Sequence, residues 1–152
     1  MEQILGYNFR NKELLKKAFT HSTYANEHEI ESNERLEFLG DSILGFVVSL
    51  ILYEKNMGDE GVLTIARSNI VANEIIAKEI GGIEFRKNFL TGKCFDDKKD
   101  WNTKTKSGLF EAIVGAIYLD SGLTNAREFI ERVFKKQDFR KAIFNAVEDK
   151  KR

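Results

Sequence analysis

Asn33-Glu34-Arg35-Leu36-Glu37-Phe38-Leu39-Gly40-Asp41-Ser42 opens a long apolar run, yet it carries three carboxylates. Burying unpaired charge costs several kcal/mol, so acids inside apolar stretches are normally paired or bound to metal. Glu37 and Asp41 lie four residues apart, which places both on one face of a helix. Two acids on one face, flanked by apolar residues, suggest a divalent-cation site rather than a solvated surface. Asn33 is a plausible cap for this helix, expected over about residues 34–54. Past Ser42 it is apolar on nearly every side, and such a helix belongs in the middle of a bundle.

A second helix repeats the pattern. Between Lys106 and Asp120, Glu111 is the only charge in Ser107-Gly108-Leu109-Phe110-Glu111-Ala112-Ile113-Val114-Gly115-Ala116-Ile117-Tyr118-Leu119. If the two apolar helices pack together, their odd acids should meet. Glu37, Asp41 and Glu111 would then form an oxygen-rich site suited to Mg²⁺ or Mn²⁺. Ions of this kind bind phosphate oxygens and activate water, which points to phosphodiester hydrolysis. The alternative is that these acids pair with Arg35, Arg67 or a lysine as buried salt bridges.

The rest of the chain reads as helix. Helices are expected over residues 11–21 with Asn11 as cap, 62–80 with a break near Asn69, 102–120, 124–134 and 139–149. Residues 26–32 and 91–100 read as polar loops. Residues 83–90 fit either an extended piece or a helical turn. The absence of proline favours long helices and an all-α bundle, with residues 1–152 as one domain. The longest apolar stretch, Ile43 to Tyr53, is broken by Gly45 and Ser49 and falls short of the ~20 residues that span a bilayer, so no membrane association is expected. Residues 1–7 lack the pattern of a secretory signal. Cys94 is the single cysteine and cannot form an internal disulfide, which fits a reducing cytoplasm.

Formal net charge is +0. Most RNA-binding domains are basic, so neutrality argues mildly against RNA unless the acids are concentrated where metal supplies positive charge. His21 and His28, the only histidines, have no metal-ligand spacing; His21 either serves a site directly or is hydrogen-bonded to fix the loop before Asn33. Arg67, Ser68, Asn69 and Asn73 carry groups able to bond phosphate, or form the polar face of a helix.

Several segments, in order, closely resemble the ribonuclease III family. They are Thr20-His21-Ser22-Thr23-Tyr24-Ala25-Asn26-Glu27, the signature from Asn33 to Leu44, Leu63-Thr64 through Asn73-Glu74, and Phe110-Glu111-Ala112 with Gly115 to Asp120. The resemblance implies a helical endonuclease domain acting as a homodimer on double-stranded RNA, leaving 5′-phosphate and 3′-hydroxyl ends. By matching, Glu37, Asp41 and Glu111 would be metal ligands for Mg²⁺, with Mn²⁺ an option. Asp41 and Glu111 would be catalytic, Asp41 helping to hold the attacking water, and Glu34 would support the site or the subunit contact. Phe38 matches a residue that plugs into a socket on the partner subunit, with ordinary core packing as the alternative. Arg67, Asn69 and Asn73 would be possible RNA contacts. The family usually has aspartate three residues before the second-helix glutamate; here that residue is Gly108. Ending at Arg152, the chain leaves no room for a double-stranded RNA-binding domain. Binding would then be weak and salt-sensitive, with a separate RNA-binding protein or a ribonucleoprotein as a possible partner.

Overall fold

The helix that begins in the quoted stretch is α4 (Glu34–Lys55), and it lies in the centre of the molecule. The computed structural model describes residues 1–151, and among them every named element is helical. Ahead of α4 come α1 (Glu2–Leu5), α2 (Lys12–Ala18) and α3 (Ser22–His28). After it follow α5 (Glu60–Ile70), α6 (Asn73–Ile80), α7 (Ile83–Asn88), the single turn α8 (Asp97–Asp100), α9 (Thr103–Ser121), α10 (Leu123–Val133) and α11 (Lys136–Lys150).

The core is built on the pairing of α4 with α9. Leu36, Leu44, Val47, Val48 and Leu52 of α4 meet Leu109, Phe110, Ile113, Val114 and Ile117 of α9 in one apolar cluster, all of them buried. Two glycines decide how closely the helices cross. A Cβ on Gly40 would fall 1.7 Å from the carbonyl oxygen of Glu111, and a Cβ on Gly115 would fall 2.4 Å from that of Leu36. The helices therefore touch backbone to backbone at Leu36–Gly40 and Glu111–Gly115, where no side chain fits. α10 and α6 pack on α9, α5 packs on α4, and α11 packs on α5. On length and composition α4 could span a bilayer. Its apolar character is accounted for here by the core it fills.

Asn11 caps α2, accepting a hydrogen bond from the Glu13 N–H at 3.0 Å. Asn33 behaves differently from the sequence expectation. Its side chain does not cap α4. It is buried and donates Nδ2–H to the Ala18 carbonyl at 3.1 Å, while its N–H bonds the Thr20 carbonyl at 2.9 Å. Asn33 thus ties the end of α2 to the start of α4 and fixes where the first acids point.

Residues expected to form the loop before α4 include a true helix, α3. His21 caps it, accepting from the Thr23 N–H at 3.2 Å. The Gly92 N–H donates to Thr23 Oγ1 at 2.9 Å, and Tyr24 stacks on His28. Residues 83–90 combine both readings: α7 is helical, and Leu90 then pairs with Thr20 as an isolated parallel bridge. The expected helix over 62–80 breaks at Val71–Ala72, where Ala72 turns extended to start α6.

Candidate active site

Glu37 and Asp41 project from α4 on either side of the Gly40 contact, and Glu111 projects from α9 at the same crossing. Because Gly40 meets the Glu111 backbone, the three carboxyl groups are forced to share one region. Glu37 and Glu111 are half-buried and Asp41 is exposed. Among the described residues no lysine, arginine or histidine lies within 4.0 Å of any of the three carboxylates. The ion pairs that do form, such as Arg127 with Glu54 and Arg86 with Asp97, lie elsewhere. The buried-salt-bridge alternative is therefore not what the fold adopts.

The electrostatic consequence is large. Burial pushes the Glu111 carboxyl up to about 8, and the negative charges of Asp41 and Glu37 add to the effect. Glu37 is also raised, by burial and then by Glu34, with Lys104 pulling it down and Asp41 adding a further upward push. Three acids that repel one another without a paired cation form a site fitted to a hard divalent ion. Among the described residues no three Asp, Glu, His or Cys side chains are gathered closely enough to ligate one ion as they stand. The donor chemistry fits Mg²⁺ or Mn²⁺; closing around one would require the carboxylates to swing inward.

Glu37 and Asp41 open onto different hollows. Glu37 faces a cleft of about 510 Å³, whose lining includes His21, Glu34, Phe38, Phe89, Lys104 and Gly108. Asp41 borders a smaller one of about 170 Å³ shared with Arg67 and Ser68. Gly108 is at the wall of the larger cleft. A Cβ there would meet the Glu37 carboxylate at 2.8 Å, so a side chain at this position would point into the acids.

The remaining candidates divide. Arg67 is exposed and donates to Ser49 Oγ at 3.0 Å beside the Asp41 hollow. Asn73 accepts a 2.8 Å hydrogen bond from the buried hydroxyl of Ser107, next to Gly108, so it is tied to the site wall. Asn69, half-buried on α5, lines neither hollow. Glu34 sits between the large cleft and a separate apolar hollow of about 520 Å³ formed by Leu14, Leu36, Leu39 and Leu119 with Phe38. Phe38 is 80% exposed, which removes core packing as its role. His21 borders the large cleft while capping α3, and burial lowers its pKa. Sequence reasoning missed Lys104, Gly40 and Gly115. Lys104 carried one available signal, its four-residue spacing from Gly108.

Comparison with known proteins places this architecture. Residues 11–137 match the family model described as Ribonuclease-III-like. The chain is 44% identical to "Ribonuclease 3" of Symbiobacterium thermophilum over 134 residues, covering 86% of this chain and 56% of that protein. It is 40% identical to "Ribonuclease 3" of Listeria monocytogenes over 140 residues, covering 88% of this chain and 60% of that one. It therefore spans little more than half the length of these curated relatives. A solved nuclease domain of ribonuclease III from Campylobacter jejuni, whose description concerns a region involved in dimer formation, superposes with a TM-score of 0.78 at 32% identity, covering 87% of this chain and 92% of that one. With the family model matched over residues 11–137 and relatives 40–44% identical over most of its length, the chain belongs to the ribonuclease III-like family.

Proposed function

We propose that residues 1–152 form a metal-dependent endoribonuclease domain that cleaves double-stranded RNA in RNA processing, leaving 5′-phosphate and 3′-hydroxyl ends. The observation that carries this reading is Glu111, held near Glu37 and Asp41 and raised to about 8 with no paired cation. Bound among these acids, Mg²⁺ or Mn²⁺ would neutralise charge on the phosphoryl oxygens and favour ionised water. Glu37, Asp41 and Glu111 would hold it. Asp41, exposed at the mouth, accepts a hydrogen bond from the attacking water and aims it at phosphorus. The new P–O bond forms as the P–O3′ bond breaks; the attacking water releases one proton to solvent, and the 3′-oxygen takes one up from solvent. Those bond changes give the stated ends. Arg67, which borders the Asp41 hollow, would contact a backbone phosphate, with Asn73 as a further RNA contact.

The same reading makes the domain a homodimer. Phe38 is exposed beside an apolar hollow, and a two-fold interface offers each ring to the other subunit's hollow. Phe46 and Tyr53 extend the exposed apolar strip along α4. A cytoplasmic location accords with the exposed free thiol of Cys94.

A second reading is favoured by Gly108. If the bare wall leaves ion binding too weak, the protein binds structured RNA or a ribonucleoprotein without efficient cutting. Incubating the purified chain with a long RNA duplex and Mg²⁺ or Mn²⁺ separates the two. Discrete products lost in Glu111→Gln support the nuclease; duplex binding with no cutting supports the second reading.

A further inference from the structure

The large cleft contains a cationic side chain that the proposed reaction leaves unused. Lys104 lines it together with Glu34, Glu37 and Gly108. It stands one helical turn before Gly108 on α9, so the two positions share a helix face. An added Cβ at Gly108 would meet the Glu37 carboxylate, which makes this the corner where Lys104, Gly108 and Glu37 converge. Among the cleft's lining residues Lys104 is the only lysine or arginine. It is exposed and, among the described residues, has no carboxylate within 4.0 Å. Its neighbour Lys106 is occupied differently, its ammonium lying 5.5 Å from the centre of the Trp101 ring.

The placement runs against the helix. The first turn of α9 contains no acid, and a lysine there opposes the positive end of the helix dipole. Residues that break a local rule are expected where function requires them.

We propose that Lys104 is a positioning residue: its ammonium holds a backbone phosphate of the RNA beside Glu37 and, as a fixed positive charge at the bare Gly108 corner, weakens divalent-ion binding by the acids. The proposal rests on the RNA-cleaving reading above. It requires Lys104 to act on two ligands with opposite sign. Removing the ammonium should loosen phosphate and tighten metal, whereas a merely solvated lysine would change neither.

The test uses the full chain and two measurements that need no turnover. In EDTA, binding of a short blunt RNA duplex is followed by fluorescence anisotropy over a range of salt. Separately, Mn²⁺ is titrated by calorimetry at low salt without RNA. Lys104→Ala is expected to weaken duplex binding several-fold and to reduce the salt slope by about one per bound protomer. It is expected to tighten Mn²⁺ by about five- to tenfold, since a unit charge at this range acts on a divalent ion through partly screened solvent. Lys104→Arg should stay close to the parent in both. Unchanged Mn²⁺ affinity in Lys104→Ala, with Mn²⁺ binding still lost in Glu111→Gln, overturns the proposal and leaves the nuclease reading standing. Weaker duplex binding with unchanged Mn²⁺ affinity overturns it too, because the lysine would then act away from the acids. If the parent binds no Mn²⁺, the underlying reading fails and the proposal fails with it.

Discussion

Replacing Glu111 by glutamine should stabilise this protein at alkaline pH, although it deletes a central polar group of the proposed site. In the fold the Glu111 carboxyl titrates at about 8, against an ordinary value of 4.5. Between these values the folded protein retains a proton that the unfolded chain has lost. Stability from this group is full below pH 4.5 and drains away as pH rises through 8. In a dry interior a shift of this size corresponds to roughly 5 kcal/mol. Glu111 is only half-buried, and water screening reduces the penalty to on the order of 2 kcal/mol. Glutamine keeps the shape and removes the charge. For a chain of this length the gain corresponds to about 4–8 °C in Tm.

The assay is thermal unfolding by circular dichroism in EDTA, at pH 8 and again at pH 5. Glu111→Gln should melt above the parent at pH 8, with most of the gap gone at pH 5. Adding Mn²⁺ at pH 8 should then raise the parent and leave the variant nearly unmoved, since only the ionised cluster gains from the ion. A variant that melts at or below the parent at pH 8 in EDTA would refute the claim that α4 and α9 force these acids together.

Three other substitutions probe the same geometry. Gly40→Ala puts a methyl group where the Glu111 carbonyl stands, so the central helices must part; a loss of about 3 kcal/mol or more is expected in urea unfolding, and a loss under 1 kcal/mol would contradict the backbone contact. Gly108→Asp displaces only the end of the Glu37 side chain and adds a further acid to the wall. It should lower Tm in EDTA at pH 8 yet tighten Mn²⁺ and raise cleavage, and equal metal affinity would mean this position does not limit the site. Phe38→Asp should convert a dimer to monomer in sedimentation velocity with little effect on the monomer's stability, because the ring is 80% exposed; a variant that still sediments as a dimer would remove Phe38 from the interface.

Much of the helical order was readable because α10 repeats its apolar residues at helical spacing, while α4 and α9 are long, nearly all-apolar runs of the kind that fill the middle of a bundle. α3 escaped because its periodicity is nearly empty. Ala25 is its one buried residue, and the segment is held as a helix by the His21 cap and by bonds from the 91–95 loop. Such contacts span about seventy positions of sequence and leave no local pattern. Asn33 misled for a related reason. An asparagine before a helix normally caps it, but here Ala18 offers a buried carbonyl that competes successfully for the amide.

The site was legible as chemistry and opaque as geometry. Glu37, Asp41 and Glu111 stand out because each is a charge in an apolar context. How closely they meet depends on Gly40 and Gly115, which in sequence resemble two costly residues inside helices, each worth about 1 kcal/mol of lost propensity. The fold recovers that cost in a backbone-to-backbone contact of its core, and the same contact leaves Glu111 near two other acids. Packing and electrostatic strain are therefore one feature: helices far enough apart to relax the acids would leave a void between them, and helices close enough to fill it must hold carboxylates that repel. A divalent cation held by these carboxylates would relieve that repulsion. For this reason metal-dependent stability, more directly than cleavage, tests whether the crossing exists to build a site.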